Sequence, residues 1–436
     1  MFDAGTAGII VGVLLVFLLT TGVHIGVALG LTGFLGILLS INPQAALAQL
    51  ATVPFSTTNS FSLAVIPLFI LMGALASQAG LTTDLYKAAY RWIGRVSGGL
   101  AMATTIASAA FGAACGSTIV NAAVFTKMAM PEMTRFGYDK RISAGCIAAS
   151  GTLASLIPPS ILMIVYAVIT EQSVARLLVA GLVPGLMSAG IYMLGIYLFA
   201  KRWPELCPVP DETFTFREKV DSLKGIWGIG VLFIIVIGGI YLGFFVPTYA
   251  GAVGAFGAFL IVAFKRKLNR ATLLETFKDA GITTSTIFLI IIGGIIFARF
   301  LTYTGLVRDI SDYMVALELA PIWYMLGFVV LYIILGMLIE PIGIMVMTLP
   351  LMFPIMTSVG YDPIWLGVIA IKLAEISMIT PPVGLNVYVV RSSSPVPLSL
   401  EQVFAGVTPF LLMDLVTLGL LIAFPQIVLF LPDLMG

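Results

Sequence analysis

Charge is what this chain of 436 residues has least of: Asp, Glu, Lys and Arg together make up 10% of it. Soluble domains carry about 25%, and here whole stretches such as 8–41 contain none. A water-exposed globular surface is therefore excluded. One histidine and three cysteines leave no Cys/His cluster for a transition-metal centre. Cys115, Cys146 and Cys207 fall in or near apolar segments without paired spacing, so they read as small packing residues rather than disulfides. A net charge of +1 gives no electrostatic reason to expect nucleic acid. Asp3 stands where a cleavable signal would have a basic n-region, so the first apolar run reads as a retained span. What the chain has in abundance is hydrophobic residues, 60% of the total. They come in many runs near the ~20 residues that cross a bilayer.

The chain also nearly repeats itself. PEMTRFGYDKRISAGCIAASGTLASLIPPSIL, starting at Pro131, recurs as PIMTSVGYDPIWLGVIAIKLAEISMITPPVGL, starting at Pro354, an offset of 223 residues. Gly137/Gly360, Tyr138/Tyr361, Asp139/Asp362 and the pairs Pro158-Pro159/Pro381-Pro382 align without a gap. Shared hydrophobicity cannot produce such matches. Two similar halves, each interrupted by helix breakers, point to a secondary transporter with its site between them.

Apolar runs between polar breaks predict an all-α membrane protein with ten crossings. Five lie near 5–22, 24–41, 62–78, 142–166 and 174–200, and five near 225–242, 247–264, 283–301, 364–390 and 405–432. The first repeat covers 1–200, a cytoplasmic linker 201–224, and the second repeat 225–436. An odd number of crossings per unit inverts one unit relative to the other. Two further apolar stretches, 98–132 and 321–357, carry breakers at their middles: Gly112 and Gly116 in one, Gly336 and Pro341 in the other. Such backbone must be buried in protein or line a cavity, which a helical hairpin entering and leaving on one side satisfies. Lys87, Arg91 and Arg95 before the first stretch, and Arg135, Lys140 and Arg141 after it, put both its ends on the cytoplasmic side. The second hairpin then enters from outside, and both termini are outside. Segment 81–96 and its counterpart around 306–318 are too charged to span and fit the membrane interface.

Two kinds of break converge on the midplane in each half. Pro158 and Pro159 remove backbone donors, freeing carbonyls around 151–155. With the hydroxyls of Ser117, Thr118, Thr152 and Ser155 these are hard oxygen ligands suited to a dehydrated alkali cation. The second half offers Gly336 and Pro341 at its tip, then Ser377, Thr380, Pro381, Gly384 and Asn386 at its break. Helix N-termini starting after each tip suit an anion. Lys372 and Glu375 share a helix face and pair with each other on the plainest reading, with a coupling role for Glu375 as the alternative. Glu340 is either solvated or tip-capping, or it couples; Arg299 snorkels, with a substrate-anion contact as the alternative; His24 is a turn residue. A channel would want a continuous polar lining and an enzyme clustered titratable groups, and neither pattern is present.

At these residues the chain resembles the large membrane subunit of tripartite ATP-independent periplasmic (TRAP) transporters, in the C4-dicarboxylate permease branch. GYDKRISAG…GTLASLIPPSI, LPLMFPIMTSVGYDPIWLGVI…ITPPVGLN and GIYLGFFVPTYAGAVGA carry the resemblance, which runs nearly full length. It implies a sodium-driven elevator-type importer in the bacterial or archaeal cytoplasmic membrane. Its expected partners are a small membrane subunit and a periplasmic binding protein that delivers an organic anion. Sodium ions, two or more, are the expected coupling ions. The positions implied for sodium in the first half are Ser117, Gly151, Thr152, Ala154, Ser155 and Pro158. Those in the second are Gly336, Ser377, Thr380 and Pro381. Substrate contacts are implied at Gly116, Ser117, Asn121, Thr380, Gly384 and Asn386. Tyr249 follows Pro247-Thr248 where the family commonly has an acid. A stand-alone sodium/anion symporter, with no binding protein, is the competing expectation.

Overall fold

The computed structural model describes residues 3–435, and its regular structure is helical throughout. The first half comprises α1 (Ala4–Thr20), α2 (Ile25–Ser40), α3 (Pro43–Thr58), α4 (Val65–Gln78), α5 (Leu81–Ile93), α6 (Gly99–Cys115), α7 (Thr118–Arg135), α8 (Lys140–Leu156), α9 (Ile161–Ile169), α10 (Val174–Ala180) and α11 (Leu182–Arg202). The second comprises α12 (Phe216–Phe233), running through a π-helical turn into α13 (Gly239–Tyr241), then α14 (Pro247–Phe264), α15 (Arg270–Tyr303), α16 (Leu306–Ala316), α17 (Pro321–Gly336) and α18 (Pro341–Ser358). It ends with α19 (Pro363–Ser377), α20 (Leu385–Ser393), α21 (Leu400–Ala423) and α22 (Gln426–Asp433).

The repeat is visible element by element. Adding 223 to the first residues of α7 and α8 gives those of α18 and α19. Packing is reciprocal too: α2 lies on α15 as α4 lies on α14, and α9 on α18 as α20 on α7. Among the described residues, six helices, or eight with each bent pair as one span, are long and apolar enough to cross a bilayer. Five of these six coincide with expected crossings. The sixth, Pro341–Ser358, is the returning arm of the second hairpin. Expected crossings 5–22 and 24–41 correspond to the shorter apolar α1 and α2. The halves differ most at α15, one unbroken helix of 34 residues where the first half has α3 and α4. Pro67 explains the difference: it has no N–H for the carbonyl of Leu63, and a new helix starts at Val65. No proline interrupts α15.

Glycine sets the helix spacing. A Cβ on Gly293 would stand 2.0 Å from the carbonyl oxygen of Gly26, so α2 and α15 touch backbone to backbone. Gly145 of α8 meets the Gly406 carbonyl of α21 at the same 2.0 Å. One pair fixes a scaffold, the other the bundle around the broken helices.

The basic clusters gather at one end. Tyr90 donates to Glu212 at 2.9 Å, Arg135 pairs with Glu212 at 3.1 Å, and the Trp92 indole donates to the Lys219 carbonyl at 3.0 Å. Lys265 pairs with Asp84. The linker between the halves is thus stitched to α5 and α7, on a single basic face.

Candidate functional site

The repeated Gly-Tyr-Asp builds the frame of each half-site. Gly137 (φ +79) and Gly360 (φ +95) adopt the left-handed conformation that ends the returning hairpin arm. The Tyr138 hydroxyl accepts from the Leu100 N–H at 3.2 Å, and Tyr361 donates to the Pro321 carbonyl at 2.9 Å, so each tyrosine closes the base of its own hairpin. Asp139 then caps α8 through the N–H groups of Arg141 and Ile142, and Asp362 caps α19 through those of Ile364 and Trp365. Partial burial pushes the Asp139 carboxyl up, but hydrogen bonds from the Arg141 side chain and backbone outweigh it and hold the group below its ordinary value.

The first tip rests on the first break. Gly116 (φ +59) comes so close that a Cβ there would lie 2.8 Å from the Pro159 carbonyl oxygen, and Gly112 packs on the Cα of Ala154 at a 2.7 Å Cβ distance. Thr118 and Ser155 share a short hydroxyl–hydroxyl hydrogen bond. The Ser117 hydroxyl caps α7 by accepting from Val120. Both Pro-Pro bonds are cis. Four residues after Ala154 and Ser155 come Pro158 and Pro159, so neither carbonyl has the N–H that a continuing helix would supply.

The second break is arranged differently. The Ser377 carbonyl accepts from Thr380 at 3.2 Å and the Met378 carbonyl from Asn386 at 3.0 Å, which satisfies the oxygens that Pro381 and Pro382 would otherwise leave free. The hydroxyls of Ser377 and Thr380 turn back to Ala374 and Ile376, both at 2.6 Å. Gly336 touches Ser377 so closely that a Cβ would fall 1.9 Å from its hydroxyl oxygen. Pro381 and Pro382 are exposed, whereas Pro158 and Pro159 are buried.

Between the tips lies a cavity of about 260 Å³. Gly116, Ser117, Thr118 and Ser155 line it from the first half, Glu340, Pro341 and Met378 from the second, and Thr283 and Thr286 of α15 from the scaffold. Of the residues expected to touch substrate, Gly116 and Ser117 face this cavity. Asn121 and Asn386 are fully buried behind it. Asn121 donates to the Ser108 carbonyl at 3.0 Å and Asn386 to the Ala148 carbonyl at 3.1 Å, and each leaves its Oδ1 without a partner. Gly384 (φ +56) starts α20, and Thr380 is half-buried at the break. Among the expected cation ligands, Ser117 and Ser155 reach the cavity. Gly151 and Thr152 lie within α8, Thr152 bonded to Ala149 at 2.7 Å.

Glu340 stands at the N-terminus of α18 but makes no side-chain capping bond, and its buried Oε1 has no partner. The capping alternative for this residue is therefore not realised. Arg299 pairs with Gln49 of α3, inside the scaffold. His24 accepts from Gly26 as the N-cap of α2. Tyr249 stacks edge-on against Phe61 at 5.8 Å. Sequence reasoning missed Thr283 and Thr286; their signal is the polar run Thr283–Thr284–Ser285–Thr286 opening an otherwise apolar crossing.

Paired hairpins, broken helices and a cavity between them define a membrane transporter. The family described as tripartite ATP-independent periplasmic transporter, DctM component, matches residues 11–427, and the chain belongs to it. The C4-dicarboxylate TRAP transporter large permease protein DctM of Pseudomonas aeruginosa is 36% identical over 94% of each chain. The sialic acid TRAP transporter large permease protein SiaM of Vibrio cholerae is 29% identical over 86% of this chain and 87% of its own. The isethionate TRAP transporter permease protein DctMQ of Oleidesulfovibrio alaskensis is 31% identical over 94% of this chain but only 64% of its own, longer length. In fold, the chain is similar to the Alcanivorax borkumensis YdaH transporter, with a TM-score of 0.62 over 90% of this chain and 91% of that one at 15% identity. These relatives are permease components, and this chain is a transporter subunit rather than an enzyme.

Proposed function

We propose that this chain is the large permease subunit of a sodium-coupled importer of organic anions in the cytoplasmic membrane. The anion would be a carboxylate such as a C4-dicarboxylate, keto acid or sugar acid, handed over by a periplasmic binding protein, with a small membrane subunit bracing the scaffold. The observation that carries this reading is the charge of the cavity. Among the described residues that line it, Glu340 is the one charged group, and none is Lys, Arg or His. A bound carboxylate there has no fixed cation to meet it, and the N-termini of α7 and α18 at the tips supply only partial positive charge. A co-bound monovalent cation supplies the rest, which ties anion binding to sodium. The first site is the stronger one: the Ala154 and Ser155 carbonyls with the Thr118 and Ser155 hydroxyls offer oxygens that no backbone donor claims. The second site uses the α18 tip, with the Glu340 carboxylate as its charged ligand. Transport then proceeds as the two hairpins and broken helices slide against the α2–α15 and α4–α14 scaffold.

Reconstitution with both partner proteins tests this. Uptake should need an inward sodium gradient with more than one ion per anion, and should be negligible without the binding protein. Undiminished uptake in potassium with only a proton gradient would remove the sodium coupling; robust uptake without the binding protein would favour a stand-alone symporter.

A further inference from the structure

Most of the wall around the cavity between the tips is aliphatic. Ile161 and Leu162 of α9, Ile282 and Ile287 of α15, and Ile119 and Ile342 beside the two tips face it. Its polar side chains are few, and several are already engaged. The Ser117 hydroxyl accepts from the Val120 N–H, and the Thr118 and Ser155 hydroxyls are bonded to each other. The scaffold adds only the hydroxyls of Thr283 and Thr286.

Three kinds of organic anion make different demands on such a wall. A dicarboxylate brings a second full charge, and burying a charge without a partner is costly. Among the described residues, no Lys, Arg or His lines this cavity or the space adjoining it toward the start of α15. The charged residue that the adjoining space adds is an acid, Asp279. Lys127, three residues after Val124 on α7, is exposed and lines neither. A sugar acid brings a row of hydroxyls, each of which costs free energy when it is buried against aliphatic groups without a hydrogen-bond partner. An aliphatic body instead gains from the same wall, about fourfold in affinity for each methylene it buries. At about 260 Å³ the cavity is smaller than pockets that hold drug-sized ligands, so the body it takes is short.

We infer that the anion this site takes is a short aliphatic monocarboxylate, held with its carboxylate at the tips and its body against α9 and α15. This rests on the organic-anion reading above and narrows it, and it is independent of sodium coupling. The carboxylate lies where the N-termini of α7 and α18 offer partial positive charge. The body runs along Ile161, Ile282 and Ile287 and leaves no charge at its far end.

The full-length chain in lipid nanodiscs, titrated calorimetrically in sodium buffer with empty nanodiscs as reference, tests this. The ligands are butanoate, pentanoate and hexanoate, set against succinate and gluconate. Affinity should rise about fourfold with each methylene, and hexanoate should bind about tenfold or more tighter than succinate or gluconate. Ile282 is exposed on the cavity wall, so Ile282→Lys sets a cation where a second carboxylate would lie. It should raise the affinity for succinate about tenfold or more. A flat series, or succinate or gluconate binding as tightly as hexanoate, overturns this inference alone, and so does an unchanged preference in folded Ile282→Lys. The same ranking in potassium would remove the sodium coupling and support this inference. No binding by any of the five anions in either salt overturns it together with the organic-anion reading.

Discussion

The side-chain amide of Asn386 donates to the carbonyl of Ala148 at 3.1 Å, joining the second broken crossing to the first across 238 residues of sequence. The repeat counterpart of Asn386 is Met163, so the link has no twin. Asn386→Ala removes the bond to the Ala148 carbonyl, which keeps only its helical partner, and removes a buried acceptor that has no partner within the chain. The expected loss is about 1–3 kcal/mol of site organisation, or roughly 5- to 150-fold in anion affinity. Uptake should collapse while the folded fraction in detergent stays close to wild type. Met163→Ala should cost packing only. Near-normal uptake by inserted Asn386→Ala protein would take this residue out of the site.

Removing the hydroxyl in Tyr138→Phe takes the partner from a buried N–H at the base of the first hairpin. About 1–3 kcal/mol of stability should go with it. Tyr361→Phe touches a more exposed bond and should cost less. Thermal unfolding in detergent ranks the two; a larger loss at Tyr361 would contradict the order.

Gly336→Ala should disable the second half-site, because its Cβ would fall 1.9 Å from the Ser377 hydroxyl oxygen and 2.3 Å from the Ser377 Cβ. Ser377→Gly removes both contacting atoms, so the double variant should recover much of what Gly336→Ala loses. Simple additivity in a double-mutant cycle would show that the clash is not the cause.

The Asp139 cap has a pH signature. Its folded value lies below the ordinary 3.8, so its contribution is present in full above that ordinary value and fades as pH falls through the lower, folded one. Asp139→Asn should therefore cost about 1 kcal/mol or less at neutral pH, with the gap from wild type closing only in strong acid. A gap that widens on acidification would reverse the sign of the argument.

The frame of the site was legible because it is duplicated. Gly-Tyr-Asp and the Pro-Pro pairs recur at one offset, and each does the same structural task in both halves. What duplication cannot reveal is whatever occurs once. Lys372 Nζ lies 3.6 Å from Glu375 but 2.7 Å from Asp414 of α21. Asp414 has Ile191 as its counterpart and Lys372 has Ala149, so the comparison that found the breaks is blind to this buried pair. The inequality of the two breaks was also hidden. Identical Pro-Pro pairs do not disclose that the Asn386 N–H caps the Met378 carbonyl while nothing comparable follows Pro159. The role of Glu340 lay outside the pattern for a third reason: capping and cavity lining demand the same residue type at the same position, and only the direction of the side chain separates them.

A helix of 34 residues is about 50 Å long at 1.5 Å per residue, well beyond the roughly 30 Å of hydrocarbon it must cross. The surplus of α15 lies at its start, next to the basic turn at Lys265, where Thr276 and Asp279 line a second cavity of about 310 Å³. That cavity shares Ser117, Val120, Ile161, Ile282 and Thr283 with the first. The overhang therefore forms one wall of two adjoining cavities, and that wall carries the Asp279 carboxylate. In the proposed transport scheme, an anion leaving the tips along this wall would meet the repulsion of Asp279.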